Sequence, residues 1–117
     1  MAFDYDVLVE ISTLDSSIQT IFTQTPDPAK SFIRTIILHN SNISSERVQI
    51  YKVPVTSGMI GSADDTNKFI DTTLEPGATM LFEFASPGII IKNENDTIQA
   101  IATSSGTITI QVYGGVE

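Results

Sequence analysis

Cysteine and tryptophan are both missing from this 117-residue chain, and histidine occurs once. Without cysteine there is no disulfide framework and no thiolate chemistry. The expected setting is a reducing cytosol, where chains fold without disulfides. One histidine and no cysteine leave too few donors for a transition-metal site. Cations are scarce as well: six Lys plus Arg face fourteen Asp plus Glu, a formal charge of −8. Lys30, Arg34, Arg47, Lys52, Lys68 and Lys92 are scattered, with no basic run. Nucleic acids and anionic membranes recruit grouped cations, so neither is an expected partner. No apolar run approaches the roughly 18 residues of a membrane-spanning helix. The opening Met-Ala-Phe-Asp-Tyr-Asp carries acids where a secretory leader carries bases, so synthesis in the cytosol is expected. The sequons at Asn42 and Asn95 then read as chance matches.

The residues that are plentiful point to sheet. Apolar residues make up 41% of the chain, enough for a core in one domain of this length. Many are Ile and Val, and Thr is abundant; β-branched side chains suit a pleated, half-buried surface better than a helix. Short runs of this type alternate with turn residues almost from end to end. Tyr5 to Ser12 places Tyr5, Val7, Val9 and Ile11 on one face. Ser17 to Thr23 is a strand whose Ile18, Ile21 and Phe22 also fit one helical turn. Residues 31–40 form a longer and more apolar strand, as a central strand covered on both sides would be. Strands follow at Glu46 to Val55, Lys68 to Leu74, Met80 to Phe84, Ile89 to Ile91 and Ile98 to Ala102. Ser104-Ser105-Gly106 has hairpin chemistry, and Ile108, Ile110 and Val112 alternate with Thr107, Thr109 and Gln111. About nine short strands and no convincing helix predict an antiparallel β-sandwich of jelly-roll type. Residues 1–17 are read as an N-terminal strand or arm, and residues 18–117 as the sandwich, within one compact domain.

Chemistry has little foothold. Any imidazole mechanism must use His39, which closes an apolar strand beside Asn40 with no nucleophile-elbow context, so a structural role is expected. Asp64-Asp65, Asp4 with Asp6, and Glu94 with Asp96 lack the ligand series of an EF-hand and read as turn acids. The glycines form neither a dinucleotide fingerprint nor a P-loop. Gly114-Gly115 suits a turn or a close approach of chains. Without Trp, a carbohydrate platform would have to use Tyr51 or Tyr113 on the surface. No catalytic residue, cofactor or metal is expected. Thr56 to Asn67 is the longest loop, and loops carry function more often than scaffolds do.

Several segments, in order, resemble a family of small β-sandwich proteins from tailed-bacteriophage particles. Ile21-Phe22-Thr23 with Pro26 is similar to that family's opening strand and its Tyr-Thr-x-Pro turn, here with one extra residue. Phe32 to Asn40 resembles the following strand, and Leu74-Glu75-Pro76-Gly77-Ala78-Thr79 its Leu-x-Pro-Gly-Glu-Thr turn. Gly88-Ile89-Ile90-Ile91, Asp96-Thr97-Ile98 and Val112-Tyr113-Gly114 resemble its ending, although Asn93-Glu94-Asn95 replaces a Gly-containing turn. The resemblance implies a non-enzymatic virion protein made in the host cytoplasm, with capsid cement or decoration as the expected role. Its expected partners are phage structural proteins, the major capsid protein above all, and further copies of itself, a trimer being one arrangement. The alternative is a neck, tail or fibre module that recognises a glycan or host surface. The candidate interface comprises Phe3 and Tyr5 in the N-terminal segment, with Gly58, Met59, Ile60, Asp64 and Asp65 in the long loop.

Overall fold

A computed structural model describes the chain from Asp4 to Glu117, with side chains from Val7 onward. Nine strands fill it: β1 (Asp4–Thr13), β2 (Gln19–Thr23), β3 (Ser31–Asn40), β4 (Glu46–Val53), β5 (Lys68–Leu74), β6 (Thr79–Glu83), β7 (Ile89–Ile91), β8 (Thr97–Ala102) and β9 (Ile108–Val116). One sheet runs β1-β9-β3-β6, with β7 also paired to β3; the other runs β2-β8-β4-β5. Every pairing is antiparallel. This is the strand order of a jelly roll, with one of its eight positions divided between β6 and β7. The expected fold class is therefore the one observed.

Period-two patterning explains how the sheets face each other. Along β3, Ile36 and Leu38 stand opposite Val112 and Ile110 of β9, and all four are buried. Across the sandwich, Val48 and Ile50 of β4 lie beside Ala102 and Ala100 of β8, again buried. Each fully buried Ile, Leu or Val contributes roughly 1.5–3 kcal/mol relative to exposure. β3 is a central strand as expected, flanked by β9 on one side and by β6 and β7 on the other. Beyond Ile33, however, only one of its faces is fully covered: Ile36, Leu38 and Asn40 are buried while Thr35, Ile37 and His39 are half-buried. Gly114 makes this arrangement possible: a Cβ there would stand only 1.7 Å from the Phe32 carbonyl oxygen. The close-approach role expected of the Gly114-Gly115 pair therefore holds at Gly114.

Four local expectations change. The regular alternation of β1 is broken by irregularities between Val7 and Val9 and between Val9 and Ser12. Val9 is consequently buried and Leu8 packs on the core, while Ile11 is 65% exposed. The helical alternative for residues 18–22 gives way to β2, whose bulge between Thr20 and Phe22 lets both Ile21 and Phe22 pack on the core. β4 ends at Val53, not Val55. Ser104-Ser105-Gly106 does not close a hairpin, because β8 and β9 belong to different sheets. Its Gly106 instead donates its N–H to Leu14 O (2.9 Å), tying the crossing to the chain after β1.

Candidate functional site

The long loop is a built structure. At its start Ser57 and Gly58 both adopt positive φ, 50° and 75°, and Thr56 and Met59 exchange two backbone hydrogen bonds of 2.8 and 2.9 Å. Two successive positive φ values define the tight reversal that Ser-Gly accommodates well. The chain then folds back over the outer face of β4 and β8. Gln99 donates its side-chain N–H to Gly61 O (3.1 Å), and a Cβ at Gly61 would meet Pro54 O at 2.6 Å. This cover explains why Tyr51, Val53, Thr97 and Gln99 are all buried although they lie opposite the core. Tyr51 is thus no sugar platform. Tyr113, the other aromatic considered, is half-buried and hydrogen-bonds through its hydroxyl to Gln111.

The loop's far end is fixed as firmly. Asp64 accepts from the Thr66 hydroxyl and N–H, at 2.5 and 2.8 Å, and those two bonds hold its carboxyl below the ordinary range. Asn67 accepts from Asp64 N and donates to Ser62 O. Asn95 donates to Gly58 O at 2.9 Å, tethering the tight turn to the segment before β8. On this rigid support Met59 and Ile60 are 71% and 50% exposed. Asp65 is exposed and forms a 3.4 Å ion pair with Lys68.

The seven candidate interface residues separate into two groups. Gly58, Met59, Ile60, Asp64 and Asp65 all belong to the one hydrogen-bonded loop. Phe3 lies outside the described residues, and Tyr5 enters the description only through its backbone, paired with Gly115 of β9. From Asp4 onward the N-terminal segment is a strand of this chain's own sheet. Deleting residues 1–12 would therefore remove Val9 from the core rather than trim an arm.

Asp4 and Asp6, read as turn acids, lie in β1, and their side chains fall outside the described ones; His39 and Asp96 have clear partners. His39 Nδ1 lies 2.7 Å from the Thr79 hydroxyl. Asp96 is buried and accepts Val55 N–H at 2.8 Å and Asn93 N–H at 3.2 Å. Among the described residues, no three His, Cys, Asp or Glu side chains group as metal ligands would.

A second feature overturns the expectation of scattered cations. A groove of about 830 Å³ is lined by Lys30, Lys52, Lys68 and Lys92, every lysine in the chain. Lys30 immediately precedes β3, Lys52 lies near the end of β4, Lys68 begins β5 and Lys92 follows β7. Since β3 is antiparallel to β7, and β4 to β5, these four positions fall at one end of the sandwich. Phe32, Phe69, Ile90 and Pro54 supply apolar lining. Asp96 is the one acid in the lining, and both its oxygens already accept backbone N–H groups. Lys68 is satisfied internally by Asp65 and Asp71 (3.3 Å). Burial pulls its ammonium down, but those two carboxylates outweigh burial and leave it above its ordinary value. Lys30, Lys52 and Lys92 are exposed and form no ion pair among the described residues.

No family model matches the chain, no curated protein matches it, and no solved structure matches it.

Proposed function

We propose that the chain is a non-enzymatic structural protein of a tailed-phage particle, a capsid cement protein that bridges neighbouring capsid subunits as a homo-oligomer. The observation that carries this reading is the pairing of a loop held by hydrogen bonds with an exposed apolar tip, Met59-Ile60. A preorganised apolar projection loses little conformational freedom on docking, and such anchors dominate interface energetics. Repetition of weak contacts around a symmetric particle multiplies their strength. The ordered sequence resemblance supplies the class of particle. The experiment is sedimentation of the native protein from its source lysate through a density gradient. Co-migration with virus-sized particles is the expected result; a slow, free species refutes the cement role.

The lysine-lined groove favours a second reading, a neck, tail or fibre module that binds a glycan or host surface. Its volume falls within the few hundred to about 1,000 Å³ usual for ligand pockets. A slow species that bound a glycan array saturably would establish this alternative.

A further inference from the structure

The lysine groove gathers cations in a chain that is acidic overall. The chain carries −8 overall, yet its four lysines meet here; Asp65 and Asp71 satisfy Lys68, and Lys30, Lys52 and Lys92 then face Asp96, the one acid in the lining. A local positive cleft in an acidic protein attracts short anionic segments, while the surrounding negative charge repels long polyanions. The apolar lining does not suit bases either. Phe32 is only 6% exposed and offers no stacking face. Phe69 is half-buried against the core with Phe84 beside it, ring centroids 6.4 Å apart, which leaves room for an aliphatic contact rather than a stacked base.

Two strands that contribute to the groove, β5 and β7, are each paired on one side only among the described strands. Their second edges carry backbone donors and acceptors suited to another extended chain. Lysines beside such edges discourage pairing with ordinary strands, because hydrated ammonium groups would have to be stripped of water without compensation. An acidic strand supplies that compensation. The same side chains then exclude neutral partners and select an anionic one.

We propose that this groove binds an extended, acidic peptide segment of a partner protein, with Lys30, Lys52 and Lys92 receiving its carboxylates and Phe69 and Ile90 its apolar side chains. The choice of a protein ligand rests on the assembly role proposed above. The test therefore uses the isolated full chain without particles, so that peptide binding and particle association succeed or fail separately.

The probe is a fluorescent peptide of alternating Glu and Val, about eight residues long, the length of an ordinary strand. Its binding is read by anisotropy beside three comparators: the Gln-Val peptide, inorganic phosphate and a single-stranded oligonucleotide. Saturable binding of the Glu-Val peptide is expected, with the Gln-Val form weaker by roughly tenfold. Lys52→Glu with Lys92→Glu should weaken binding by at least about tenfold, and Lys52→Arg with Lys92→Arg should retain it. Both lysines are exposed, so these variants should keep the fold, which circular dichroism checks. Equal binding of the Gln-Val peptide, tighter binding of the oligonucleotide, or indifference to the Lys→Glu changes would each overturn the proposal. So would an absence of binding, which would reduce the lysines to guards of the sheet edges.

Discussion

The buried carboxylate of Asp96 accepts the backbone N–H of Val55 at 2.8 Å, joining the start of the long loop to the turn before β8. Its second oxygen accepts Asn93 N–H across that turn. One side chain therefore holds two segments in place, the base of the apolar tip and a wall of the lysine groove.

Asp96→Ala should lower stability by roughly 1–3 kcal/mol, because two backbone donors lose their acceptor. Urea unfolding measures the loss. Limited proteolysis should cut first between residues 55 and 67. A variant as stable and as resistant as the parent would show that the rest of the loop network suffices without Asp96.

Glu46 makes a pH-dependent contribution. It is buried and accepts Ser104 N–H at 2.9 Å and the Asn42 side-chain amide at 3.0 Å. Burial pushes its carboxyl up, but these donors together outweigh burial and leave it below the ordinary 4.5. Between the native value and 4.5 the unfolded chain binds the proton more readily, so acid favours unfolding. The contribution is complete above 4.5 and disappears as pH falls through the native value. Glu46→Gln should cost about 1–3 kcal/mol at neutral pH, since an amide donor replaces one acceptor. It should also flatten the acid limb of stability against pH, which denaturation at a series of pH values will reveal.

Arg47 and Asp71 form a two-pronged pair at 2.9 and 2.7 Å on the exposed face of β4 and β5. The guanidinium holds the Asp71 carboxyl at about 2, with Lys68 assisting against a smaller opposing effect of burial. Arg47→Ala should move the Asp71 titration back towards its ordinary 3.8, visible in carboxyl carbon shifts by NMR. Stability should change by less than about 1 kcal/mol, because solvent screens exposed pairs. An unmoved titration would mean that Lys68 alone sets the carboxyl.

Met59→Asp with Ile60→Asp should leave thermal stability within about 0.5 kcal/mol, as both side chains are largely exposed. The same double variant should lose particle association in the gradient, where an anchor contact is replaced by two charges. Undiminished co-migration would move the particle contact away from the loop.

Two strands were legible in the sequence from their apolar content, β9 through the alternation of Ile108, Ile110 and Val112 and β3 through its length and its five large apolar residues. β1 misled because two bulges, which leave no compositional trace, change which side chains face inward. Ser104-Ser105-Gly106 misled for another reason: a turn-forming triplet states that the chain reverses, not whether it re-enters the same sheet. The loop was recognisable from Gly58, Gly61 and Asp64-Asp65, but its cover over Tyr51 depends on Gln99, far away in sequence. The lysine groove was hidden in the same way. Lys30, Lys52, Lys68 and Lys92 are widely spaced, and their common feature is position at strand boundaries. Alternation between strand starts and strand ends was the available signal, and it becomes meaningful only once the antiparallel pairings are known.

Among the described strands, β4 and β5 are the only pair consecutive in the chain that also hydrogen-bond to each other, and a fourteen-residue span (54–67) separates even these. Every other ladder joins strands distant in sequence, as β1 joins β9. Local hairpins therefore cannot serve as early footholds for folding. The loop-closure entropy of the long-range pairings must be met before their contacts offer any return, which places the chain among slow, high-contact-order folders. Both sheets should then appear together in one cooperative step, and during synthesis β1 cannot find its partner until β9 has left the ribosome.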